Sequence, residues 1–184
     1  MPLAATTSTS PPSPPGSRAV SACELLLGAF VVVGHNVYRI VPNEVPILFV
    51  AGLLSIRLRD GGWSSMGLRR PASWTRVALV ALAAAAVRIV LPELVIEPVT
   101  SRIWPPIVAP AGTEAIAGDL KTALLWLALV WTWAAFGEEI AYRGYLLTRA
   151  ADLGRRSPAA YWAGVVCVSV LFGFGHFYKG PAGI

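Results

Sequence analysis

Leu124-Leu125-Trp126-Leu127-Ala128-Leu129-Val130-Trp131-Thr132-Trp133-Ala134-Ala135 runs without a proline into Phe136-Gly137-Glu138-Glu139-Ile140-Ala141-Tyr142-Arg143-Gly144-Tyr145. An apolar run of this length continuing into two adjacent carboxylates and an arginine places ionisable groups at or near membrane depth. Such groups are expensive there and mark function by default. On a helix, Glu139 and Arg143 lie four apart on one face, with the acid N-terminal to the base, the favoured order. Glu138 points roughly 100° away from Glu139. One carboxylate is thus matched to an arginine along its own helix, and Glu138 is not claimed by that pair.

The surrounding chain fits this reading. Of its 184 residues, 55% are hydrophobic and 14% charged, well below the charged fraction of about a quarter usual in a soluble domain. The mean hydropathy is +0.62. The apolar residues come in blocks, so the expected fold class is all-α, a polytopic transmembrane helical bundle. The net charge of +5 is carried mostly by arginines in short loops. That distribution suits membrane topology and anionic lipid headgroups. No basic run is interleaved with aromatics, so nucleic acid is not an expected partner and membrane lipid is. Cys23 and Cys167 each lie in an apolar segment and read as small core residues, with no disulfide framework or metal knuckle.

Residues 1–18, rich in Ser, Thr, Pro and Ala, read as a disordered N-terminal tail ahead of a membrane domain over 19–184. About five spans are expected: Ala19 to Tyr38, Val45 to Ile56, Val77 to Ile96, Leu120 to Ala151 and Ala159 to Phe177. The segment from Arg57 to Arg76 reads as a loop. It carries Arg57, Arg59, Arg69, Arg70 and Arg76 against Asp60, which predicts a cytoplasmic loop and, by counting spans, a cytoplasmic N-terminus. Glu97 to Gly118 reads as a proline-rich outer loop. Gly154 and Ser157-Pro158 supply the C-cap and N-terminal signals of a tight helical hairpin.

That hairpin relates two polar sites. Glu138 lies roughly 24 Å back from the turn and His176 roughly 28 Å forward of it, at 1.5 Å per residue. They are therefore expected at similar depth. A carboxylate opposite an imidazole is a water-activating pair: the Glu accepts a proton from the attacking water, and the His orients that water or protonates the leaving amine. Phe172, one turn before His176, is placed to shape a pocket wall. Gly173 and Gly175 strip the helix surface for close approach. His35, with Asn36, reads instead as a polar helix-end pair at the interface. There is no HExxH, no GxSxG elbow and no P-loop.

At these residues the chain resembles the CPBP family, the type II CAAX-protease-like intramembrane proteases also called Abi proteins. Glu138-Glu139-Ile140-Ala141-Tyr142-Arg143 matches its EExxxR motif, and Phe172-Gly173-Phe174-Gly175-His176 its FxxxH motif. Met66-Gly67-Leu68-Arg69-Arg70-Pro71 is similar to a stretch common upstream in bacterial members, which implies a bacterial cell membrane. The specific resemblance covers about 120–184. It implies an eight-helix membrane bundle and an intramembrane endopeptidase acting on peptides or prenylated CAAX proteins. It also implies Glu138 and His176 as the water-activating residues, supported by Glu139 and Arg143. Its cofactor is left open between a divalent metal such as zinc, held if at all by Glu138 and His176, and none. A non-catalytic scaffold or bacteriocin self-immunity protein of the same fold is the alternative, and a proton-coupled transporter using Glu138 as a relay is a third. The family's further motif, a His followed four residues later by Asn or Asp, has no counterpart here, because the other histidine is His35 and residue 39 is Arg39. The chain is therefore expected to be cut short at its C-terminus, with the activity of this form left open.

Overall fold

The computed structural model describes residues 15–104 and 116–177, with side chains from Arg18 onward. All regular structure among the described residues is helical. Helix α1 spans Pro15–Asn36, α2 Glu44–Arg59, α3 Trp74–Leu91, α4 Glu97–Ile103, α5 Leu120–Leu129, α6 Leu147–Leu153 and α7 Pro158–Phe174. A π-helical turn, Pro92–Ile96, joins α3 to α4 without a break. Two more π-helical stretches, Val130–Gly137 and Glu139–Leu146, join α5 to α6, so that Leu120–Leu153 is one rod.

The helix starts follow from capping chemistry. Asn43 accepts a hydrogen bond from the Val45 amide, Ser73 from Arg76, Asp119 from Lys121 and Thr122, and Ser157 from Ala160. Each cap satisfies amides that the first helical turn leaves without partners. The hairpin between α6 and α7 closes as the Gly154/Ser157-Pro158 signal predicts, and Gly154 donates its N–H to the Ala151 carbonyl 3.2 Å away. Arg155 and Arg156 hold the turn with φ of 57° and 54°, in the left-handed region that costs a non-glycine residue roughly 1–2 kcal/mol.

The all-helical membrane architecture stands, but the count of about five spans is corrected. Among the described residues, three helices are long and apolar enough to cross a membrane: Arg18–Asn36, Trp74–Ile103 and Leu120–Leu153. Helix α2 has 16 residues and includes Glu44, Arg57 and Arg59, and α7 has 17. Both are shorter than the other three, and α7 is apolar throughout. The expected loop over 97–118 is also corrected, because Glu97–Ile103 continues the preceding helix. Helix α1 begins at Pro15, inside the stretch read as a tail, and the rest of that stretch lies outside the described residues. Cys23 and Cys167 are exposed on outer helix faces and are not core residues.

The core forms where α1, α2 and α7 close around the second half of the Leu120–Leu153 rod. It contains Val32, Leu48, Ile56, Ile140, Tyr142, Tyr145, Leu146 and Val168. Gly52 on α2 makes this approach possible: a Cβ there would stand 2.7 Å from Cβ of Tyr145. The Trp74–Ile103 helix, by contrast, contributes no buried residue.

Candidate active-site cavity

Glu138 sits between the two π-helical stretches, in the part of the rod whose backbone departs from regular α-helix. Single π turns within helices recur at functional positions. Beside it, Gly137 lets α2 come close, since a Cβ at this position would lie 3.0 Å from Cγ1 of Val45. The neighbouring acid behaves as its spacing predicts: Arg143 Nη1 donates to Glu139 Oε1 at 2.6 Å, and both side chains are about half exposed.

His176 follows the end of α7, where Gly175 donates to the Leu171 carbonyl and the His176 amide to that of Gly173. The imidazole Nδ1 lies 3.1 Å from the Phe172 carbonyl oxygen and donates to it. The ring also rests against the Phe172 ring, with centroids 4.7 Å apart. Phe172 in turn meets Tyr142 edge-on, and the Arg143 guanidinium lies 5.0 Å from its centroid. One aromatic ring thus links the EE segment of the rod to the histidine of α7.

The depth match read from the sequence corresponds to a shared cavity. Glu138, His176, Tyr142, Phe172 and Gly175 line a space of about 340 Å³ whose opposite wall is the α1–α2 turn, including His35, Arg39 and Glu44. Gly173 is buried, but it does not line this space.

His35 has contacts beyond those expected of a helix-end polar pair. It does end α1, but its ring faces the cavity, with Nδ1 donating to the Val41 carbonyl at 3.0 Å and Nε2 3.4 Å from Glu44 Oε2. Asn36 turns back to donate to the Val32 carbonyl. The signal available in the sequence was weak: two polar residues, His35 and Glu44, on either side of a short helix-breaking turn.

A second polar cluster was missed altogether. Arg149, 1% exposed, meets Glu24 at 2.8 Å, Asp60 at 2.7 Å and Asp152 at 2.9 Å. Arg59 pairs with Glu24, and Arg156 with both Asp152 and Asp60. Ser21 and Ser55 complete the network. The clue was Arg149 followed three residues later by Asp152 and four later again by Arg156, spacings of the short helical kind that drew attention to Glu139 and Arg143. Three acids balance three arginines, so the cluster reads as a structural clamp on α1, α2 and α6.

Metal binding was tested against the donor set. A catalytic zinc takes three protein ligands and keeps one open position. Among the described residues no group of three or more His, Cys, Asp or Glu side chains is placed to hold a metal ion. Glu138 and His176 alone fall short of such a site.

Residues 120–184 match the family model described as type II CAAX prenyl endopeptidase, Rce1-like. No curated protein matches the chain, and no solved structure does. The matched segment carries the rod with Glu138 and Glu139 and the α7 end with His176, whereas the α1–α2 wall of the cavity lies outside it.

Proposed function

We propose, from the Rce1-like character of residues 120–184, that the protein is an intramembrane endopeptidase of the CAAX-processing type. Its substrate is a peptide or prenylated protein presented at the membrane. The observation that carries this reading is the sharing of one cavity by Glu138 and His176, while the adjacent Glu139 is engaged by Arg143.

In this reading Glu138 takes a proton from a water held in the cavity, and the resulting hydroxide attacks the scissile carbonyl carbon. The Nδ1 bond to the Phe172 carbonyl fixes the imidazole of His176, so orientation of the water or protonation of the leaving amine falls to Nε2. Glu139 and Arg143 hold the rod and, through the guanidinium over Phe172, the pocket wall. Phe172 and Gly175 shape the space for the substrate.

The test is Glu138→Gln in the full-length protein, assayed for cleavage of a prenylated CAAX peptide in membranes. Cleavage is expected to vanish while the detergent melting temperature is kept. Wild-type turnover in this variant overturns the assignment.

A further inference from the structure

Of the buried polar groups that line the cavity, Tyr142 stands apart. Tyr142 is 1% exposed, yet its hydroxyl has no hydrogen-bond partner among the described residues. A buried donor in that state costs on the order of 1–3 kcal/mol, and a phenylalanine would avoid it. The ring is held rigidly, edge-on to Phe172 with centroids 5.0 Å apart and planes at 85°. The residue lines the same cavity as Glu138 and His176, one helical turn beyond Glu138. Gly175 provides the gap over the hydroxyl: a Cβ there would stand 3.0 Å from the Tyr142 oxygen. A phenol retains its proton at neutral pH and donates one hydrogen bond.

We propose that the Tyr142 hydroxyl is the donor to the oxyanion formed during peptide hydrolysis, an inference that rests on the Glu138 reading above. Water attacks the carbonyl carbon and gives one proton to Glu138, while the carbonyl π pair moves onto oxygen. That oxyanion accepts the Tyr142 O–H hydrogen bond, and no proton leaves the phenol. Collapse restores the C=O bond and breaks the C–N bond, and the proton held by Glu138 passes to the departing amine. The products are a carboxylic acid and an amine. A fixed donor aimed at charge that develops only in the intermediate acts on kcat and leaves ground-state binding nearly untouched.

The test is Tyr142→Phe, which keeps the ring against Phe172 and removes only the oxygen. The melting temperature should be unchanged or higher, with kcat reduced about 10²- to 10³-fold and KM within about twofold. A peptidyl phosphinate replacing the scissile amide, as a tetrahedral mimic, should lose affinity for the variant by a comparable factor. Gly175→Ala should lower kcat by covering the hydroxyl, and should lower it little further in the Tyr142→Phe background. Unchanged kcat, or a raised KM at unchanged kcat, overturns the Tyr142 assignment and leaves Glu138 standing. Cleavage that is absent from the wild type, or that survives Glu138→Gln, overturns the function reading and the Tyr142 inference with it.

Discussion

Replacing Arg149 by methionine tests the account of what holds the bundle together. The guanidinium is 1% exposed and meets Glu24, Asp60 and Asp152, the last also 1% exposed. With Arg149 present, Glu24, Asp60 and Asp152 are balanced by Arg59, Arg149 and Arg156. Without it the cluster retains three acids against two arginines, a net buried negative charge. Breaking a buried pair by removing one partner costs about 3–5 kcal/mol. Each acid still keeps a partner, Glu24 with Arg59, and Asp60 and Asp152 with Arg156, so about 3 kcal/mol is expected here. The informative step is the second substitution. Asp152→Asn alone should also destabilise, because it leaves an arginine in excess. Combined with Arg149→Met it restores neutrality, and the double variant should be more stable than Arg149→Met by on the order of 1 kcal/mol or more. Reversible unfolding in mixed detergent micelles, followed by circular dichroism, measures all three. A double variant whose losses simply add, or an Arg149→Met cost below about 1 kcal/mol, refutes the charge-balance argument.

Gly52→Leu drives a side chain into the base of Tyr145 and should cost about 1–3 kcal/mol or more, read in the same unfolding assay. Arg143→Met removes an exposed ion pair and the stacking on Phe172, so a loss of about 1–2 kcal/mol with folding intact is expected, whereas full stability with abolished cleavage would make Arg143 a participant in the chemistry. A cysteine at the exposed position 64, Ser64→Cys, should react with an impermeant maleimide only from the cytoplasmic side, as the arginines of the flanking loop require. Labelling only from outside inverts the topology.

Much of this molecule was legible where the relevant spacing is local. The Glu139–Arg143 pair is an i,i+4 pair on one helix, and the matching depths of Glu138 and His176 follow from a short hairpin with clear capping signals. What the sequence concealed depends on distant partners or on backbone register. The apolar composition of α2 suggested a span, yet its 16 residues include the exposed Arg57 together with Glu44 and Arg59, which serve the cavity and the ionic cluster. Nothing near His35 indicates that the α1–α2 turn will face Glu138, because that contact exists only after α2 packs on the rod. The π-helical hydrogen bonding around Glu138 was hidden for a different reason: a shift of one residue in acceptor leaves the short hydrophobic pattern almost unchanged.

The ionic cluster also has a consequence for biogenesis. A ribosome delivers α1 and α2 first, and these helices bring Glu24 and Arg59 already matched to each other. Asp60 waits for Arg149 and Arg156, which emerge only after the long Trp74–Ile103 helix and most of the Leu120–Leu153 rod. In the early hairpin the half-formed cluster therefore holds two acids, Glu24 and Asp60, against one arginine, Arg59, and the arriving rod completes the balance. Closure of such distant contacts is the slow part of folding, so the order of synthesis sets when the bundle locks. An insertion intermediate stalled after α4 should accordingly remain exposed to membrane quality-control proteases that the finished bundle resists.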